Sequence, residues 1–328
     1  MTANVPKAEL HCHIEGAASP ALAKAQARKY DVDISAIING ESYVWRDFTS
    51  FLEVYDTVAN LFRTRDDFRL LAETYLSSLA EDGAIYSEFF ISPDHARESG
   101  IDPAEYISGL ADGIAEAREK TGIEARMIAI GLRHMGPQAV LETARWIAAN
   151  PHRLVTGFGM AGDERMHDVP DFLPAHDAAR EAGLGISTHA GELCGPTRVR
   201  QTVEQLKPDR IGHGVRAIED QGLVELIADR EIVLEVCPAS NVALEIYPDF
   251  VSHPLPKLVE AGCLVTLNSD DPPYFGTSLA NEYRIAAETF GYSDEALLEF
   301  TINAIKAAFI DGETRTRLLE KCRLTGLG

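Results

Sequence analysis

Two histidines two residues apart, His11 and His13, close a short apolar run in Pro6 to Gly16, PKAELHCHIEG. Side chains at i and i+2 of a strand share a face, so two neutral imidazoles at a strand's end are a natural start for a first-row metal site, most often zinc. Further along, THAGE supplies His189 and, three residues on, Glu192; RIGHG supplies His213 between two glycines; NSDDP supplies the pair Asp270 and Asp271. Catalytic zinc takes nitrogen and oxygen ligands and keeps a position open for water, whose pKa falls to about 7 when bound. His11, His13, His189 and Asp270 can supply such a site for one zinc ion per chain. Glu192 is then a spare carboxylate placed to shuttle a proton to the substrate, His213 orients or stabilises the hydroxide, and Asp271 can share a hydrogen bond with the substrate.

These residues are far apart in the chain, so a fold must gather them. The apolar runs and turn signals predict strands at 84–92, 126–132, 153–158, 184–188, 210–212, 232–236 and 263–268, each trailed by a helical segment. Counting the first, that is about eight strands, and strict alternation with helices implies a parallel sheet. In an open sheet the first and last strands need not be neighbours. In a closed barrel they are adjacent, and one metal collects ligands from strand ends at the top face. The expected architecture is therefore α/β, a (β/α)₈ TIM barrel with extra helices after the first strand and at the C-terminus, in one domain over residues 1–328. The segment from Gly276 onward reads as all helical, packed on the outside. Between 31 and 63 a stripe of Phe48, Phe51, Leu52 and Tyr55 at helical spacing reads as core or as the roof of a pocket.

Composition narrows the ligand. A formal charge of -21 over 328 residues disfavours nucleic acid and anionic membrane surfaces, and leaves small neutral substrates open. No apolar stretch approaches the roughly 20 residues of a membrane span, and the first residues, MTANVPKAEL, lack the apolar region of a secretory signal, so a cytoplasmic location is expected. Five widely spaced cysteines with no C-x-x-C suggest neither a disulfide framework nor a cysteine zinc cluster. Two other motif readings fail: GFGMAG at 157–162 is followed by acids and prolines instead of a helix that could hold a pyrophosphate, and His13-Ile14-Glu15 lacks the P-C-x-x-C partner of the cytidine-type zinc deaminases.

Taken in order, PKAELHCHIEG, AGDE, HAGE, RIGHG, CPASN and NSDDP resemble the adenosine/adenine deaminase family of metal-dependent barrel hydrolases, from Pro6 to about Gly276. The resemblance implies one zinc on His11, His13, His189 and Asp270, Glu192 as proton donor to the purine nitrogen beside the attacked carbon, and His213 as the hydroxide-positioning base. It further implies contacts from Asp271 to the imidazole-ring side of a purine and from the Gly162 backbone to the pyrimidine-ring side. Binuclear relatives bridge two metals through a lysine on the fourth strand; RLVTGFGM has none, so a single metal is expected. Where adenosine deaminases usually carry an Asp that reaches the ribose 5′-hydroxyl, this chain has Glu15, as adenine deaminases do; AGDE and Gly212 look like adenosine deaminases. The expected reaction is hydrolysis of adenosine, and of 2′-deoxyadenosine, to inosine and ammonia in purine salvage. The alternative is an adenine deaminase, or a deaminase of another 6-aminopurine.

Overall fold

In a computed structural model of the protein, which describes residues 5–324, eight parallel strands follow one another around a barrel. They are β1 (Lys7–Glu9), β2 (Ala84–Ile91), β3 (Glu124–Leu132), β4 (Val155–Ala161), β5 (Gly185–Ala190), β6 (Arg210–His213), β7 (Val233–Val236) and β8 (Val265–Leu267), each paired with its neighbour in sequence. Closure between first and last strands falls on the residues singled out for chemistry. Cys12 bridges Asp270, the Asp270 N–H donates to the His11 carbonyl at 3.1 Å, and the His13 N–H donates to the Asp270 carbonyl at 3.0 Å. β1 is therefore shorter than the H-x-H motif suggested. The two histidines lie beyond its last ladder residue, held in register by these isolated bridges.

Local sequence explains the helices between strands. Ser19 caps helix Pro20–Tyr30 by accepting from the Leu22 N–H, with Pro20 in the first turn. Helix Pro103–Thr121 ends at Gly122, whose φ of 77° suits glycine. At its start the Asp102 side chain accepts from the Ala104 N–H. The long connection after β1 holds a two-residue hairpin, Ile38–Asn39 with Ser42–Tyr43, and helix Phe48–Ala59, which turns its apolar stripe toward the top of the barrel.

The C-terminal helices, Leu279–Glu288, Asp294–Ala307 and Gly312–Arg323, pack as expected around the barrel, but the link after the second of them does not stay outside. A Cβ at Gly157 or Gly185 would lie 2.8 or 2.3 Å from the Phe309 ring, so these two glycines leave a hole at the N-terminal ends of β4 and β5 that Phe309 fills. Its backbone N–H donates to Glu88 at 2.6 Å, and the Arg210 guanidinium lies 3.8 Å from its ring centroid. Above this plug the barrel interior is polar. Arg210 pairs with Glu88 at 2.7 Å and with Glu235 at 2.6 Å, all three fully buried.

No helix among the described residues is long and apolar enough to cross a membrane.

Candidate active site

The strand ends at the top face carry the expected side chains to one point. Nε2 of His13 lies 3.2 Å from Nε2 of His189, and Oδ1 of Asp270 lies 3.4 Å from Nε2 of His11 and 3.5 Å from Nε2 of His13. Donors about 2.0–2.1 Å from a tetrahedral ion stand roughly 3.3 Å from one another, so these separations suit a single cation. The electrostatics agree. Nε2 of His11 is buried with no hydrogen-bond partner, and although burial opposes charge on this ring, Asp270 and Glu235 push its pKa up to about 9; without a metal the ring itself carries the positive charge these two acids favour, and a bound cation would take that charge's place. Burial holds His13 down to about 3, and burial with the neighbouring imidazoles holds His189 well below its usual range. Both rings are neutral at pH 7, as metal binding would require. Cys237 also approaches His11 and Asp270, and burial pushes its thiol well up.

Glycines and strained residues make this convergence possible. His213 and Asp270 both turn out of their strands at positive φ, 62° and 64°, a conformation that costs on the order of 1–3 kcal/mol in a non-glycine residue and clusters at functional sites. A Cβ on Gly212 would come within 2.8 Å of the His11 ring and 3.0 Å of His189, so the close approach this glycine permits is that of imidazoles. Gly16 does the same for Asp271, whose carboxylate occupies the space a Cβ would need.

Around the donors lie the protonation partners. Nε2 of His213 is 3.6 Å from Glu192 and 3.9 Å from Asp270. Burial, then the charges of Asp270 and Glu164, push the Glu192 carboxyl well above its ordinary range; burial and the charges of Asp270 and Glu192 do the same for Asp271. Both carboxyls are thereby pushed toward the protonated form, which can donate a hydrogen bond. His213 is held down to about 4 by burial and is neutral. Its tautomer follows from its neighbours. The Leu255 N–H donates to Nδ1 of His253 at 3.2 Å, so Nε2–H of His253 donates to the Asn241 carbonyl oxygen at 3.1 Å, and the Asn241 amide donates to Nδ1 of His213 at 3.3 Å. His213 accordingly carries its proton on Nε2, toward Glu192 and Asp270.

A cavity opens above these groups. It is lined by His13, His189, Glu192, His213, Asp270 and Asp271, by Gly162, and by an apolar wall of Phe48, Phe51, Leu52, Tyr55, Ile130, Leu132 and Phe275. The stripe on helix Phe48–Ala59 thus roofs a pocket. Glu15, expected to face the same space, is absent from its lining. Its carboxylate is buried and accepts from the Tyr106 hydroxyl at 2.5 Å and the Tyr55 hydroxyl at 3.3 Å. Arg198, Arg200 and Arg216, cations a nucleotide phosphate could have met, are paired with Asp168, Asp220 and Glu219.

Sequence reading missed several contributors. Glu235 accepts from Nδ1 of His11 at 2.9 Å; a lone acid within the apolar strand VLEV was the signal, since buried charges are rare unless partnered. Asn241, in CPASN, and Glu164, in AGDE, lay inside recognised motifs without a role. His95, paired with Asp56 at 3.1 Å, and His134 give the cavity a polar edge with no sequence signal of its own.

A parallel eight-stranded barrel whose top face brings together three imidazoles, an aspartate and a buried glutamate is that of a metal-dependent hydrolase. The chain belongs to the adenosine deaminase family, whose model matches residues 6–324, and it is a hydrolytic deaminase of that family. It is 60% identical to an adenine deaminase of Chelativorans sp. (strain BNC1), over 97% of this chain and 98% of the relative. Among solved structures it resembles an adenine deaminase from Arthrobacter aurescens, with a TM-score of 0.91 and 29% identity, over 97% of this chain and 98% of the other. A zinc-bound amidohydrolase from Burkholderia ambifaria is similar at a TM-score of 0.89 and 27% identity, over 99% and 92%.

Proposed function

We propose that the chain deaminates adenine hydrolytically, giving hypoxanthine and ammonia, with one zinc ion on His11, His13, His189 and Asp270. The relatives named adenine deaminase support the base over the nucleoside, and the zinc-bound relative supports the metal. The observation that carries the choice of substrate is Glu15. Its carboxylate is committed to Tyr106 and Tyr55, which leaves a ribose 5′-hydroxyl without the acidic partner that adenosine deaminases usually offer it. The wall above the site is largely aromatic and aliphatic, and each sugar hydroxyl buried there unpaired costs about 1–3 kcal/mol. This reading replaces adenosine, the substrate first expected, with the alternative.

The chain's own residues divide the work. The metal, when bound, would lower the pKa of a coordinated water and so supply the nucleophile at neutral pH. Nε2–H of His213 orients that nucleophile as a hydrogen-bond donor. Protonated Glu192 gives its proton to the ring nitrogen beside the attacked carbon, so charge does not build up there as aromaticity breaks. The resulting carboxylate can then carry a proton from the attacking oxygen to the departing amine. Asp271, also protonated, donates toward the imidazole-ring side of the purine, and the Gly162 N–H toward the pyrimidine-ring side.

The test is kcat/KM for adenine and adenosine side by side on metal-replete enzyme, with ammonia release as the readout. Adenine should win by on the order of a hundredfold or more, the cost of stranding at least one or two hydroxyls. Equal or better turnover of adenosine would refute the assignment.

A further inference from the structure

Glu192 sits on a segment with no regular structure of its own. β5 ends at Ala190, and Gly191 to Cys194 form a bend before helix Pro196–Gln201 begins. The backbone N–H groups of such a bend have no ladder to join, yet buried ones must find partners. Here they converge on one side chain. Oε1 of Glu164 accepts from the Gly191 N–H at 2.6 Å, and Oε2 accepts from the N–H groups of Leu193 at 2.9 Å and Cys194 at 2.8 Å. These three donors bracket Glu192 on both sides, and Glu164 is only 1% exposed, so water does not compete for its oxygens. The carbonyl side of the bend is held as well: Arg216 donates from its backbone to the Gly191 oxygen at 3.1 Å and from Nη1 to the Leu193 oxygen at 2.7 Å. Glu164 itself follows Gly162, which turns the chain at the end of β4 with a φ of 90°. One turn thus carries both the backbone group assigned to the purine's pyrimidine edge and the clamp on the neighbouring bend.

We propose that Glu164 is a positioning residue that fixes the Glu192 carboxyl for proton transfer through this three-donor clamp. The proposal rests on the reading of Glu192 as the proton donor. A neutral amide cannot replace the clamp, because the side chain of a Glu164→Gln variant would offer one oxygen to two sides of the bend and turn an NH₂ group against N–H donors. Charge-assisted bonds from a carboxylate to backbone N–H groups are also stronger than neutral ones. The clamp orients an acid that works only in the transition state, so its loss falls on kcat, while the substrate's ground-state contacts persist.

The experiment compares wild type, Glu164→Gln, Glu192→Gln and the double variant on adenine, with metal content and amide hydrogen exchange measured on each. Glu164→Gln should lower kcat about 10- to 100-fold, leave KM within about threefold and metal content unchanged, and speed exchange at Gly191, Leu193 and Cys194. In the Glu192→Gln background the same change should cost nothing further, since the group it positions is gone. Wild-type kcat in Glu164→Gln, a loss confined to KM or metal content, or losses that multiply in the double variant would each overturn the proposal. Glu164→Asp keeps the charge but cannot span both sides of the bend; it should recover part of kcat over Gln, and it carries the test if the Gln variant does not fold. If Glu192→Gln alone turns over like wild type, the role of Glu192 falls first, which separates that failure from this one.

Discussion

Oε2 of Glu235 lies 2.9 Å from Nδ1 of His11, both side chains fully buried. With a metal bound, the contact would keep the His11 proton on Nδ1 and leave the Nε2 lone pair facing Asp270 and the other imidazoles. Ser187 donates to the same carboxylate at 2.9 Å and Arg210 pairs with it at 2.6 Å, so the ring is anchored to the barrel interior. Carboxylates behind ligating histidines typically account for 10- to 100-fold in metal affinity. Glu235→Gln should therefore weaken zinc by about that factor in a chelator competition, and His189→Ala, which removes a donor outright, should leave less metal still by elemental analysis. Undiminished affinity in the Gln variant would mean that Glu235 serves packing alone.

Glu15 offers a test of substrate choice that spares the chemistry. Its carboxylate reaches Tyr106 and Tyr55 from a short 3₁₀ turn, Glu15–Ala17. Glu15→Asp is one methylene shorter, cannot hold both hydroxyls, and leaves room and a carboxylate for a sugar hydroxyl. The ratio of kcat/KM for adenosine over that for adenine should rise by about tenfold, the value of one well-made hydrogen bond in a buried site. An unchanged ratio would show that Glu15 does not set it.

The relay from Leu255 through His253 and Asn241 makes a spectroscopic prediction. Asn241→Asp puts an acceptor where the amide donor stood, so Nδ1 of His213 must carry the proton and Nε2 becomes a bare lone pair. ¹⁵N shifts of His213 should exchange their protonated and unprotonated positions, and kcat should fall by about 10- to 100-fold if the Nε2–H donor is what orients the nucleophile. A switched tautomer with wild-type turnover would assign that orientation elsewhere.

At the opposite end of the barrel, Phe309 should behave as structure alone. Truncating a buried phenylalanine typically costs about 3–5 kcal/mol; Phe309 is half-buried, so Phe309→Ala should cost about 2 kcal/mol, read as a lower Tm, with kcat/KM preserved in the folded enzyme. Gly185→Ala should destabilise through the same contact, since its Cβ would press into that ring. A Tm within error of wild type in Phe309→Ala would mean that the floor of the barrel repacks without it.

What the sequence displayed was whatever sits at a strand end. His11, His13, His189, His213 and Asp270 were legible because strand-end polar residues in a β–α series have one place to meet, and the strands themselves were apolar runs bounded by turns. The groups that orient them were not. Glu235 and Arg210 lie inside strands, where alternation marks a residue as buried but cannot say which of eight strands it faces. Phe309 lies in a helical stretch that reads as outer layer, and only the holes left by Gly157 and Gly185, more than 120 residues earlier in the sequence, draw it inward. Glu15 was visible as a departure from the usual Asp, but its direction depends on tyrosines from two separate helices, Phe48–Ala59 and Pro103–Thr121. Long-range packing of this kind leaves no local pattern.

His176, away from the metal donors, ties stability to pH. Its ring is fully buried, Nδ1–H donates to the Phe172 carbonyl at 2.9 Å, and Nε2 accepts from the Thr188 hydroxyl at 2.8 Å. Burial holds its pKa down to about 4, with Arg180 adding to the effect against the Phe172 bond, whereas in the unfolded chain it titrates near 6.5. Between those values the unfolded chain binds a proton that the folded chain does not, so stability rises with pH across the interval. The contribution is present above pH 6.5 and lost as pH falls toward 4, about 3 kcal/mol in all. His176→Gln removes the linkage while keeping an amide that can serve both neighbours. Urea unfolding of the two metal-replete proteins from pH 7 to pH 4 should give a shallower loss of stability in the variant, by up to one proton's worth of slope, with other groups cancelling in the comparison. Parallel curves would mean that His176 takes up its proton in the folded state as readily as in the unfolded one, and that the Phe172 and Thr188 bonds hold an imidazolium.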